Sequence, residues 1–435
     1  MDSTTECRSK SISPDRHPFQ DERLRVSHIR GPASWTNPTC IISKPFSIVD
    51  ARGHPPAEII HLTEDQQRHE RRVKGDVRYK WRSRDNRKGR HALIVERPTK
   101  PGKGAHVVPT RTDSLRATLR GIKRMAVQYP FWDISYVTAI AFTLGSIVWV
   151  LNSFFVFLPV AQPKSEFKYE ILSAVGVSAF LGATIFEVGS VFLLLEAINK
   201  HDTGCFGWAL DHVTSEKGGS LVRIYPHPKS CTHHHVNKKN LVGRGGRETP
   251  NSDSPSDEHG QPRTDLPRSP DFKWFPTLKD LRTHYIYELG FLASLIQLLA
   301  ATIFWITGVT ALPGINNHLS ETLADGVYRA PQIIGGTGFV MSATLFMLET
   351  QTNWYTPAFR TLGWHINLWN FIGAIGFTLS GIFLLAYNNP GLQYQASLST
   401  FWGSWAFLVA SVIQWYESLD KYPVEDRQSS VEGVK

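Results

Sequence analysis

The chain has 435 residues, 47 Lys+Arg against 38 Asp+Glu, and 42% hydrophobic residues, which on average describes a basic soluble protein of two or three domains. The average misleads, because charge and hydrophobicity are segregated. Runs without Lys, Arg, Asp or Glu cover 30 residues between Asp133 and Lys164, 32 between Glu288 and Glu321, 19 between Arg329 and Glu349, and 56 between Arg360 and Glu417. About 20 apolar residues cross a bilayer core of roughly 30 Å, so an ordinary soluble globule is excluded. Four cysteines are too few for a secreted disulfide scaffold. No cleavable signal peptide is visible in the polar first 130 residues.

Residues 1–130 carry 27 Lys+Arg and 14 Asp+Glu, a net charge of +13. Stretches such as Arg68 to Arg90 are too charged to build a core of their own, so a largely disordered basic arm is expected. An amphipathic piece around Ser114 to Val127 could lie on a membrane surface. Six spans follow, near 134–158, 171–196, 287–311, 331–349, 366–387 and 398–416. They form transmembrane hairpins over 131–198, 284–350 and 351–418, with a loop over 199–283 and a tail over 419–435. Within the loop, Asn237 to Asp271 reads as a disordered linker rich in Gly, Pro, Ser and charge. The fold class expected is thus all-α, a six-helix bundle of three tandem hairpins. Forty-four Lys+Arg fall on the side of the termini and the long loop, against three on the other. That bias predicts cytosolic termini.

The even spans align without gaps as G-x3-F-x9-E: Gly182, Phe186 and Glu196; Gly335, Phe339 and Glu349; Gly403, Phe407 and Glu417. Gly and Phe four apart share a helix face, so the Gly admits a neighbouring backbone while the Phe packs beside it. Each Glu, fourteen residues on, points within about 40° of its Gly. It sits at a helix C-terminus, where the macrodipole disfavours an anion. Each is expected to cap a neighbouring helix or to pair with a juxtamembrane Arg or Lys, unless all three simply face water. The odd spans match more loosely, with Phe142-Thr-Leu-Gly-Ser-Ile147 parallel to Phe377-Thr-Leu-Ser-Gly-Ile382 and Ala300 to Phe304 in the corresponding place. Pro159, Pro313 and Pro390 follow the odd spans. Such self-similarity marks duplicated units packed alike.

Several of these strings resemble a known group. Phe291 to Trp305 with Ala311-Leu-Pro313, Gly335 to Phe339 with Leu348-Glu-Thr350, and Leu362-Gly-Trp-His365 with Trp369-Asn370 and Gly376-Phe-Thr-Leu379 resemble the spans of a family of uncharacterised fungal integral membrane proteins. The two-helix unit resembles the small YrhK-like membrane domain. The resemblance covers chiefly 284–418. It implies a polytopic membrane protein and brings no catalytic residues with it.

No phosphate-binding loop, nucleophile elbow or metalloprotease motif is present. Cys205, His212, His227, Cys231 and His233 could offer thiolate and imidazole to zinc. The two cysteines lie 26 residues apart, however, and three consecutive histidines cannot easily ligate one ion, so a surface loop is expected and no cofactor is implied. The basic arm flanks a membrane, which points to anionic lipid rather than nucleic acid as its polyanion. Amides away from the span ends are few, Asn152, Gln297 and Asn370, with Glu187 as the one deep acid. Nine residues before Glu196, Glu187 would lie about 13.5 Å deeper and be neutral there. Hydrogen bonds from Thr143, Asn152 or Gln297 could hold it. Two functions remain open: a non-enzymatic membrane scaffold that recruits cytosolic proteins, or a transporter or channel with a proton- or cation-linked site at Glu187.

Overall fold

The computed structural model describes residues 25–43, 70–74, 76–97, 105–199, 208–214, 220–226, 272–386 and 388–428. Six helices are long and apolar enough to cross a bilayer: α3 (Ile134–Ala161), α4 (Glu170–Ile198), α6 (Leu289–Thr310), α7 (Glu321–Thr350), α8 (Leu362–Leu384) and α9 (Pro390–Leu419). Their outward faces carry exposed Leu144, Leu151, Leu181, Leu299, Met341 and Val409, an apolar surface that suits lipid and not water. The chain is a multi-pass membrane protein. The helices pair as hairpins α3–α4, α6–α7 and α8–α9, and α9 returns to pack on α3, closing a ring in sequence order.

Helix ends differ from the sequence expectation for local reasons. Pro159 falls inside the last turns of α3 without ending it, whereas Pro390 opens α9 at its first turn, where no amide donor is needed. A π-helical turn widens α4 over Glu170–Val175 and α7 over Asp325–Arg329; α4 starts where hydropathy indicates, whereas α7 begins at Glu321, ahead of the expected 331.

Three layers repeat around the bundle axis. One aromatic from each helix meets in the middle: Trp149, Phe186, Phe304, Phe339, Phe377 and Phe407. Trp149 stacks edge-on against Phe377 with ring centroids 4.9 Å apart and against Phe304 at 5.6 Å, and Phe186 meets Phe407 at 5.6 Å. Trp149, Phe304 and Phe377 each stand fifteen residues after the first residue of their helix. The expected match of Phe142 with Phe377 is therefore displaced by seven residues. Seven residues rotate a helix to within about 20° of the same face, so periodicity cannot tell the two registers apart.

Over one end of the bundle sits a cap of strands, which the all-helical expectation did not place. β1 (Arg25–Ser27), β2 (Cys40–Ser43), β4 (Asp76–Arg82), β5 (Ala92–Arg97) and β9 (Val424–Gln428) form one sheet in that order. β3 (Glu70–Lys74), β6 (Ala105–Pro109), β8 (Ser220–Pro226) and β7 (Trp208–Thr214) form another. The sheets share a core of Val77, Tyr79, Leu93, Val95, Val108, Trp208, Ile224 and Val424. The N-terminal region, the long loop and the C-terminal tail thus meet on one side of the bundle. Tyr79 and Val77 point inward while Arg78 and Lys80 alternate outward, the period of a half-buried strand.

Between β4 and β5 runs the short helix α1 (Ser83–Arg87), and Gly89 turns the chain back with φ +61°, a left-handed conformation open to glycine. After β6 comes the amphipathic helix α2 (Leu115–Val127), capped by the Ser114 side chain, which accepts from the Ala117 amide. α2 docks Ala117 and Gly121 on the bundle, where Tyr416 leaves no room for a Cβ at Gly121. A short helix, α5 (Leu278–Thr283), leads into α6. The Asn237 to Asp271 linker lies outside the described residues.

Candidate functional site

Each hairpin delivers its repeat glutamate to the cap end of the axis. Glu196, Glu349 and Glu417 are all buried, with 0%, 3% and 0% of their surface exposed. They receive the segment Ser83-Arg-Asp-Asn-Arg-Lys-Gly-Arg90. Arg84 donates to both oxygens of Glu417, from Nε at 3.1 Å and from Nη2 at 2.7 Å. Arg87 Nη2 donates to Glu349 Oε2 at 2.8 Å, and Ser83 Oγ donates to the other oxygen at 2.9 Å. Lys88 Nζ stands 3.5 Å from Glu196 Oε1 and 4.0 Å from Glu417 Oε2. Arg90 binds Asp85 at 2.8 Å, Glu417 at 3.2 Å and Asp420 at 3.4 Å.

The charged stretch up to Arg90, expected from sequence to be solvated, is therefore corrected over its last part. Arg84, Arg87, Lys88 and Arg90 are buried because the bundle holds three acids that need them. A buried charge needs an opposite charge beside it; Arg84, Arg87 and Arg90 also hydrogen-bond their carboxylates, whereas Lys88 and Glu196 are held by charge alone. Of the alternatives for the three glutamates, pairing with an Arg or Lys is the one found. Burial alone would pull the Arg84 and Arg90 guanidiniums down; Glu417 for the first, and Asp85 with Glu417 for the second, more than offset it and raise both. Burial pulls the Lys88 ammonium below its usual value, and Glu196 restores it only in part.

Two glycines make room for the cations. Gly290 and Gly363 are the second residues of α6 and α8. A Cβ on Gly290 would sit 2.5 Å from Glu349 Oε1 and 2.8 Å from Arg87 Nε, and one on Gly363 would land on the Arg84 guanidinium. The corresponding residue of α3 is Ser135. The cap is further tied down by Arg30, whose amide donates to Thr352 and whose carbonyl accepts from Trp354 N at 3.1 Å. An ion pair joins Lys421 to Asp133.

Beneath the cations lies a cavity of about 50 Å³, reached by side chains from all six spans. Arg84, Arg87 and Lys88 line its cap end, and Phe186, Phe339 and Phe407 line it toward the aromatic layer. Gln297 opens onto this space.

The other candidates are placed elsewhere. Glu187 is not on the axis. It is half-buried on the flank between α4 and α6, where Thr302 Oγ1 donates to its Oε1 at 2.9 Å. Thr302 thus takes the place expected of Thr143, Asn152 or Gln297: Thr143 bonds back to Ala139 O, and Asn152 clamps the π turn through Val175 O and Ser178 Oγ, both at 2.9 Å. The repeat glycines sit at close contacts. A Cβ at Gly335 would meet Ala300 O at 2.9 Å, one at Gly403 would meet Gly373 O at 3.1 Å, and one at Gly182 would meet the Trp149 ring at 2.9 Å. Of the zinc candidates, Cys205, His227, Cys231 and His233 lie outside the described residues, and His212 falls in β7. No group of metal-ligating side chains occurs among the described residues.

The residues missed in the sequence are Arg84, Arg87, Lys88 and Arg90. Their signal was arithmetic: three acids at matching positions need cations, and none lies within the spans as read from the sequence. Searches against profiles of known protein families, curated protein sequences and solved structures found no match to this chain.

Proposed function

We propose that the protein is a non-enzymatic membrane scaffold or anchor, with its cap in the cytosol. The observation that carries this is the junction: strands from the N-terminal region, the long loop and the C-terminal tail form one body, fixed by buried ion pairs to a bundle whose centre is filled by six aromatic rings. A body so fixed offers a stable surface at the membrane. The 44-to-3 distribution of Lys+Arg supports its cytosolic side. Exposed aromatics precede each odd span, at Tyr129 and Phe131, Trp274 and Phe275, and Trp354 and Tyr355, and they suit the headgroup level. At that level α2 presents Leu115, Leu119 and Ile122 on one exposed stripe, beside Arg116, Arg120 and Lys123. Anionic lipid is the partner these groups fit.

Transport has less support, because Glu187 faces the flank and the axis is occupied by rings. Proteoliposomes carrying the full chain test the choice. The scaffold reading expects proton, cation and anion flux equal to that of empty liposomes. Sustained flux, and above all flux lost in Glu187→Gln, would overturn it.

A further inference from the structure

The layers of the bundle do not repeat equally. The glutamate layer takes one like residue from each hairpin, and the aromatic layer takes two. The layer between them consists of the residue three before each Glu and the residue eight after the start of each odd helix. In the first hairpin these are Phe142 and Leu193, in the second Gln297 and Phe346, and in the third Asn370 and Gln414. All six line the cavity of about 50 Å³. Phe and Leu fill this level in the first hairpin, so packing does not require the amides.

The amides have no internal use either. Gln414 is only 6% exposed, and none of the three hydrogen-bonds another described residue. Ser146 Oγ, on the same wall and 1% exposed, is likewise without a partner. Buried polar groups in native proteins are almost always satisfied, by protein or by something else. What faces them sets the sign. The wall contains Arg84, Arg87 and Lys88 but none of the three carboxylates, which stand behind the cations. Amide NH2 groups and a hydroxyl can turn their donors inward, and phenyl edges carry partial positive charge. A cation would meet three cations here. A water needs about 10–15 Å³ of such space, so there is room for roughly three to five water-sized particles.

We propose that this cavity is a binding site for a small monovalent inorganic anion of the size of chloride. The cations orient it from the cap end, and Gln297, Asn370 and Gln414 donate to it from the second and third hairpins. Because each cation already has a carboxylate behind it, half-saturation falls in the millimolar range.

The test uses the full chain in nanodiscs, with sodium chloride or bromide replacing sodium gluconate at constant ionic strength. A saturable rise in melting temperature is expected with chloride and bromide over gluconate. Gln414→Glu, nearly isosteric but negative, should abolish the rise, and Gln414→Leu should weaken it. Crystals grown in bromide should show an anomalous peak in the cavity of the wild-type protein, a readout that stands even if the variants fail to fold. Equal melting in chloride and gluconate would overturn the proposal. So would a rise that never saturates, a rise retained in Gln414→Glu, or a cavity without bromide.

Discussion

Ten residues, about 15 Å of helix, separate the glutamate layer from the aromatic layer on each even span, and the two are built by opposite means. The aromatic layer is made by the bundle alone, from rings that pack in T-shaped pairs and tolerate small shifts. The glutamate layer is incomplete without the cap. Among the described residues its three acids find cations on a segment that lies some fifty residues before the first span; Glu417 and Glu349 do so through directed hydrogen bonds and Glu196 through ion pairs at 3.5 and 3.8 Å. The first layer makes the bundle compact. The second decides what sits on it and in which orientation.

Breaking the second layer should cost most. Glu417→Ala leaves Arg84 without its bidentate partner, removes one of the three carboxylates around Arg90, and should lower the unfolding free energy by about 3–5 kcal/mol, measured by denaturation in detergent. A loss under about 1 kcal/mol would mean the pairs are solvated. Next comes the contact between helices that brings both layers together. Gly335→Leu pushes a side chain into the Ala300 carbonyl and the Phe304 backbone, with an expected cost of about 1–3 kcal/mol. Melting equal to wild type would place that face toward lipid.

The aromatic layer should be more forgiving. Phe407→Leu keeps much of the volume and should cost about 1 kcal/mol, since inside a bilayer the ring is buried from lipid and not from water, and only packing is lost. An effect as large as that of Glu417→Ala would erase the contrast between the layers. The smallest effect lies at the cap edge. Burial would raise the Glu425 carboxyl, but Arg82 and Lys80 outweigh it and hold it down to about 2 from 4.5. Its contribution is therefore full above pH 4.5 and lost as pH falls through about 2. With 36% of the side chain exposed, no more than about 1 kcal/mol is expected. Release of β9 by pepsin, which cleaves at acid pH, should rise as pH falls through that window in the wild type and change less with pH in Glu425→Gln.

How much of this could be read from the sequence follows from where each signal is encoded. The spans and the even-helix repeat were legible because lipid imposes length and apolarity, and because Gly335, Phe339 and Glu349 recur at one spacing in every hairpin. The acids' need for cations was legible too. Which cations served was not, since Arg84, Arg87 and Lys88 sit among many other charges and nothing local separates them from a solvated arm. The strands of the cap were hidden for a related reason. β4 alternates Val77 and Tyr79 with Arg78 and Lys80, a period-2 pattern diluted by its charge, and β9, which pairs with its neighbour β5, lies more than three hundred residues away. The odd-helix register failed because seven residues nearly repeat a helix face.

The docking of Ser83–Arg87 on the three glutamates is tested most directly by amide hydrogen exchange on the full chain in nanodiscs. The amides from Ser83 to Arg90 should exchange as slowly as those of the capped ends of α7 and α9, and Glu349→Gln should speed them while leaving the aromatic layer protected. Exchange of the wild-type segment within seconds, at the rate of an unstructured basic arm, would contradict the account.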